Sequence, residues 1–549
     1  MNASRSRLYK AANTTLRRLL PSMLSALLSA GLAGCFAANR TELTCPKQGG
    51  PPWVETKSAH FVVKTDLPID EAKRIAQEAE VARVALLAAL GAPPGEESSP
   101  VELIVFERLV DFEKLGPRPG LRGFYSPWFA GDLEATPAVV ASEGLGYFAR
   151  SLLLHELTHR FVNLRTRRIP WWLNEGLAEF YSTIRVEDGE IVLGEPRKDR
   201  RIWEHDYPLL EELPRQSMLW LPQRNVPAMD QLMGVDEATL PRDKVDYYYA
   251  GAHKFVQVLF GATQTNYKAR YQQMTSAIMQ GADGDIVFAN AYKGVLMSEI
   301  EGAYQALLVD QREYVTRLPF KAPAQVNFTV RTMRDDEVHV IWSRVSAHFP
   351  NQSSPPEDFV LKGLEENPGS PDLLYTRAAT HIASGTLLPM PKEVEAYLKA
   401  DPNDPRRLTA LVIWLASRVS RTKDGDKKDQ LKAELTAAAD RLVAVANSPM
   451  QRTAAAQRLL ELGRADEALV MSIKSVENAP QCSMCHETLA EILLYHRHFA
   501  EAKAAALRAR STFGDHRGLH RFDELLSRID EAEKEAKQKG GKPDERVGP

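Results

Sequence analysis

Ser151-Leu152-Leu153-Leu154-His155-Glu156-Leu157-Thr158-His159-Arg160 is the segment from which the rest of the chain can be read. It lies in a run from Leu145 to Leu164 that holds no Gly or Pro after Gly146, so it reads as a helix. Residues four apart share one helix face, which stacks His155 and His159 one turn apart. Two imidazoles in that position can bind one zinc ion. Glu156 beside them can act as general base toward a water that the ion activates. The pattern fixes only three letters, so its surroundings must support the assignment. A catalytic zinc site also needs a third protein ligand and one open position.

The third ligand is expected downstream. Sixteen residues after His159 comes Glu175, within Trp171-Trp172-Leu173-Asn174-Glu175-Gly176-Leu177-Ala178-Glu179-Phe180. A second helix opens near Pro170 and covers about 170–185, and it places Glu175 and Glu179 on one face. This block closely resembles the third-ligand helix of the gluzincin (MA-like) zinc metallopeptidases. The resemblance covers roughly 53–315 and is specific mainly at 151–180. The interval between the two motifs is slightly shorter than in thermolysin-like and aminopeptidase-like members and fits the compact lipoprotein-type ones. The resemblance implies a zincin-like α+β fold and one zinc ion held by His155, His159 and Glu175. It also implies that Glu179 fixes the tautomer and orientation of His155. Such an enzyme needs a donor to the oxyanion formed on attack. In Asp246-Tyr247-Tyr248-Tyr249-Ala250-Gly251-Ala252-His253, Tyr248 with Gly251 resembles the Y-x-x-G element of aminopeptidase-like gluzincins. Tyr248 is therefore the expected donor, with Tyr249 and His253 as substitutes. Tyrosines also pack cores, and Ala252, Phe255, Val256 and Leu259 continue an apolar face here.

Upstream, His60–Lys64 and Val101–Phe106 read as strands and Ile69–Leu90 as a helix, with a Gly- and Pro-containing loop over 114–135. A further helix is expected over about 244–260. This mixed order predicts an α+β domain over 53–318. Before it, Arg5, Arg7, Lys10, Arg17 and Arg18 precede an apolar run that ends in Leu32-Ala33-Gly34-Cys35. The run is too short and serine-rich for a good membrane span and reads as a signal peptide. Its end resembles the bacterial lipobox, which implies lipidation at Cys35, a polar tether over 36–52 and a lipid anchor in the cell envelope. Phe36 in place of aspartate favours the periplasmic face of the outer membrane.

Downstream, Pro319 and Pro323 mark an expected linker over 319–335, followed by Ala- and Leu-rich helix over 336–529 and a charged, disordered tail over 530–549. Pro368-Gly369-Ser370-Pro371 recurs as Pro402-Asn403-Asp404-Pro405, 34 positions later. Ala465-Asp466-Glu467-Ala468 recurs as Phe499-Ala500-Glu501-Ala502 at the same offset. That helical period is the tetratricopeptide period, and the segments resemble that family. They imply an all-α solenoid with a concave surface for a protein partner.

The remaining features restrict the function. The 549-residue chain has a formal net charge of -3, so no basic excess points to nucleic acid. Cys482-Ser483-Met484-Cys485-His486 matches the pattern of c-type haem attachment. It fits a local disulfide between Cys482 and Cys485 better, because no haem domain surrounds it. The expected function is thus a membrane-anchored zinc metallopeptidase acting on a protein or peptide substrate. The alternative is an inactive peptidase-fold scaffold that binds protein through its repeats.

Overall fold

Five of the six residues in Val101–Phe106 are apolar, and all six are buried, because helices cover both faces of the sheet they enter. The computed structural model describes residues 43–538, apart from 93–99, 118–122, 127–137, 143–146, 167–168, 195–225, 236–238, 242–243, 262–266, 311–314, 324–325, 350–354, 384–388, 481 and 512–519. The chain is mixed α/β with a mostly helical C-terminal region. Strands β1 (Val54–Lys57) and β2 (Phe61–Thr65) lead into helix α1 (Ile69–Leu90). β3 (Val101–Phe106), α2 (Leu109–Glu113), β4 (Gly123–Ser126) and β5 (Ala138–Ser142) follow. Next come α3 (Tyr147–Arg165), α4 (Trp171–Tyr181), β6 (Arg185–Glu187) and β7 (Glu190–Leu193). Helices α5 (Met229–Met233), α6 (Val245–Gly261), α7 (Tyr267–Met279), α8 (Gly284–Ala291) and α9 (Met297–Asp310) precede β8 (Thr316–Pro319) and β9 (Thr329–Thr332).

The main sheet runs β4-β5-β3-β2-β1-β9, with β2, β3 and β5 parallel and the other neighbours antiparallel. On one face, Phe61, Val63, Leu103 and Val105 pack against Ala76, Ala79 and Leu86 of α1 and join the core that includes Leu153 and Leu157 of α3. Ile104, Phe106 and Val140 point to the other face, where Trp53 and a helix from the C-terminal region cover them. Helix α3, which carries His155, Glu156 and His159, is therefore anchored on the sheet.

Several boundaries differ from those expected. The segment 319–335 is not a linker: β9 adds to the sheet beside β1, with Arg331 bonded to Glu55 through two nitrogens at 2.9 Å each. β8, which ends at Pro319, pairs with β7 in a second sheet of order β6-β7-β8. The main sheet thus extends past residue 318, with the exposed strand β9 as its edge. The expected loop over 114–135 contains the edge strand β4. The second half of the expected tether over 36–52 is folded: Cys45 is buried ahead of a one-turn helix at Pro46–Gln48. Residues 1–42, with the signal peptide and Cys35, lie outside the described residues.

The C-terminal helices are α10 (Asp335–Ala347), α11 (Pro356–Glu366), α12 (Pro371–Ala383), α13 (Lys392–Ala400), α14 (Pro405–Arg421) and α15 (Gly425–Val445). α16 (Pro449–Glu461), α17 (Ala465–Asn478), α18 (Ser483–Tyr495), α19 (Phe499–Ser511) and α20 (His520–Gln538) complete them. Pro371, Pro405 and Pro449 each open a helix, where a missing N–H costs nothing. The starts of α12 and α14, of α16 and α18, and of α17 and α19 are 34 residues apart, so the sequence repeat is realised as repeated helices. α10 is the helix that covers the sheet: Val338, Ile341 and Trp342 pack on Ile104 and Phe106. Arg344 of α10 also reaches the buried Glu102 of β3 at 2.9 Å. At the far end, Arg508 of α19 donates to the Thr166 carbonyl just after α3, at 2.7 Å. α20 continues to Gln538, so the expected disorder over 530–549 is corrected for 530–538. The rest lies outside the described residues.

Candidate metal centre

Three helices build the site. α3 supplies His155, Glu156 and His159, α4 supplies Glu175 and Glu179, and α6 crosses beside them. The approach of α4 to α6 requires a glycine. A Cβ on Gly176 would lie 2.6 Å from both the Ala252 carbonyl oxygen and Val256 Cγ2. Absence of a side chain there lets α4 pack closely on α6.

His155 Nε2 and His159 Nε2 are 3.0 Å apart, and Glu175 Oε2 lies 3.6 Å and 3.3 Å from them. Two ligand atoms on a tetrahedral zinc ion stand ~3.3 Å apart, given bonds of about 2.0–2.1 Å. The three observed spacings straddle that value. Glu175 Oε2 is buried and accepts no hydrogen bond, so the atom facing the two imidazoles lacks a donor of its own. On the other side of His155, Nδ1 faces Glu179 Oε1 at 3.3 Å. A proton held there leaves the lone pair of Nε2 for a metal. The residues present therefore fit a single zinc ion.

The electrostatics favour a cation at this point. Burial disfavours charge on His155, but Glu175 and Glu179 outweigh it and raise the imidazole well above its ordinary range. Burial likewise opposes charge on His159, and Glu175 overrides it. Burial would raise Glu175, yet the two histidines hold it far below the usual carboxylate range. Glu156 behaves differently: burial dominates and raises it, although both histidines pull it down. A carboxylate with raised basicity next to a metal position is suited to accept a proton.

The tyrosine expectation needs correcting. Tyr248 is buried in the core and meets Trp171 and Tyr247 edge-on, at 6.4 Å and 5.4 Å between ring centroids. Tyr249 is the residue that faces the cluster, its ring stacked at 13° on His155 with centroids 6.4 Å apart. Burial first, then the charges of Glu175 and Glu156, hold its phenol well above the ordinary range, so it remains a proton donor. Burial opposes charge on Glu179, but its contact with His155 and the charge of that imidazole lower the carboxyl, and His253, one turn further along α6, adds a smaller effect of the same sign. From the sequence, Tyr249 and His253 rank only as substitutes for Tyr248.

Cys482 and Cys485 are joined as a disulfide at the start of α18. The adjoining His486 ring is buried and bonds through Nε2 to the Pro480 carbonyl at 2.8 Å. Burial pushes that imidazole down to about 4. With its sulfurs bonded to each other and its histidine committed to the backbone, this segment does not present haem ligation. Among the described residues no helix is long and apolar enough to cross a membrane.

No protein-family model matches the chain, and no curated protein matches it.

Proposed function

We propose that this chain is a zinc-dependent metallopeptidase with a zincin-like N-terminal domain and tetratricopeptide-like C-terminal repeats. The observation that carries the proposal is the convergence of His155, His159 and Glu175 at mutual spacings of 3.0–3.6 Å, with Glu156 buried beside them. His155, His159 and Glu175 would hold a zinc ion, which would acidify a water to a pKa of about 7 and polarise the scissile carbonyl. Glu156 takes the proton from the attacking water and passes it to the leaving amine. Tyr249 would donate a hydrogen bond from its hydroxyl, which keeps its proton, to the developing oxyanion. Glu179 holds the His155 ring in orientation and keeps the proton on Nδ1. The repeats would present a surface to a protein substrate or partner. Lipidation at Cys35 would hold the chain at the periplasmic face of the outer membrane.

The test is Glu156→Gln, which removes the base and leaves the ligands in place. Wild type should bind zinc through the His155 site and cleave members of a pooled peptide library. The variant should keep the zinc and lose turnover by at least about a hundredfold. Zinc in the wild type with every peptide left intact would favour the scaffold reading. Failure of a His155→Ala, His159→Ala pair to change the zinc content would remove the metal site itself.

A further inference from the structure

We propose that Cys45, His339 and Glu366 form a second metal site, for a divalent ion of borderline softness such as zinc. This ion would tie the N-terminal segment to the first two helices of the C-terminal region. Cys45 lies just before β1, His339 is in α10, and Glu366 is the last residue of α11. One ligand atom from each lies within 4.8 Å of the other two.

The independent sign of a ligand is His339. Its side chain is 1% exposed, yet neither ring nitrogen has a hydrogen-bond partner. An unpaired buried polar group loses its hydration without recompense, so a histidine kept in this state without a ligand is a poor packing choice. The ring is held firmly by its neighbours. Trp342 meets it edge-on at 5.2 Å, and the absent Cβ of Gly363 would come within 3.0 Å of its ring carbons. His339 Nε2 is 3.6 Å from Glu366 Oε2, which is too long for a hydrogen bond. It is close to the ~3.3 Å that separates a nitrogen and an oxygen ligand on one zinc ion. The other oxygen of Glu366 accepts from the Gln48 side chain, which leaves Oε2 for the ion.

Cys45 completes the set. It is 1% exposed, and it is the free cysteine among the described residues. Its sulfur makes only a 3.9 Å contact with the Asp335 carbonyl. Sulfur, imidazole and one carboxylate are the donors that zinc and its neighbours in the first transition row accept. Magnesium and calcium prefer oxygen alone. Glu366 is exposed, so the site has an opening for the ion and for a water as fourth ligand. On binding, the Cys45 Sγ–H bond breaks, its proton leaves to solvent, and the thiolate electron pair forms the metal–sulfur bond. The segment clamped is the one that leads directly to the N-terminus.

Cobalt substitution of the purified full-length chain tests this. Cobalt(II) bound to a thiolate gives a charge-transfer band in the near ultraviolet, whereas the His155, His159 and Glu175 ligands contain no sulfur. Wild type should show the band. Cys45→Ser should abolish it, and His155→Ala with His159→Ala should leave it intact. Glu366→Gln, at an exposed position, should weaken cobalt binding at this site on the order of tenfold or more. Absence of the band in cobalt-saturated wild type would overturn the proposal, as would its persistence in Cys45→Ser. Each result stands apart from the fate of the peptidase site, which the paired histidine variant reads separately.

Discussion

Gly176→Ala tests whether the spacing of α4 and α6 sets the metal site. Alanine is the better helix former by about 1 kcal/mol, so propensity alone predicts a gain in stability. The added Cβ, however, would lie 2.6 Å from the Ala252 carbonyl oxygen, and ordinary contact begins at 3.4 Å. The helices must therefore part by about 0.8 Å, and the obstructing atom is backbone, which cannot rotate away. Overpacking of this kind costs roughly 1–3 kcal/mol, and more where backbone must move. The clash should win, with a net loss on the order of 1–2 kcal/mol. That corresponds to a fall of only about 1–3 °C in the melting temperature of a chain this long. Zinc binding should weaken as well, because Glu175 is the preceding residue and ligand geometry tolerates only ~0.5 Å of displacement. Calorimetry on the zinc-free chain reads the first effect and a competition titration with a chelator reads the second. A variant that melts higher than wild type and binds zinc equally well would refute the reasoning. It would mean that helix propensity governs the position and that α4 and α6 are not held in this contact.

Tyr249→Phe should lower kcat on the order of a hundredfold while zinc content stays unchanged, whereas Tyr248→Phe should leave kcat nearly intact. Equal effects from the two variants would remove Tyr249 from the oxyanion. Glu179→Ala should weaken zinc affinity about 10–100-fold through the loss of its contact with His155 Nδ1, measured by chelator competition. An unchanged affinity would show that the contact does not orient the ring. Glu102 gives a pH test. Burial alone would raise its carboxyl, but Arg344 and Lys64 outweigh that and hold it at about 2, against an ordinary value of 4.5. Its contribution to stability is therefore complete above pH 4.5 and is lost as pH falls toward 2. Urea unfolding of Glu102→Gln should show a lower stability near neutrality and a flatter decline across that window. Parallel declines in variant and wild type would assign the acid sensitivity elsewhere.

These outcomes turn on different kinds of information, and that explains what the sequence revealed. The convergence of His155, His159 and Glu175 is legible in the sequence because each constraint is local: one helical turn for the histidines, one helix for the glutamate. The choice between Tyr248 and Tyr249 was also local, but it depended on which helix stripe was followed. Tyr248 shares its stripe with Ala252, Phe255 and Leu259, all buried in the core, whereas Tyr249 shares its own with His253. A single residue rotates the side chain by about 100°, so a motif register taken from a resemblance was less reliable than the apolar stripe already visible. β9 was not legible at all. Its four residues are exposed, and its identity as a strand comes from β1, some 270 residues earlier in the chain. The same holds for Cys45, His339 and Glu366. Their separations follow no helical or strand period, and folding alone brings them together. Where the constraint is a period, sequence suffices. Where it is a pairing across the chain, the partner has to be seen. Residues 319–335 differ from the expected linker for this reason: their prolines mark a break in local pattern, while the domain continues through the pairing of β9 with β1.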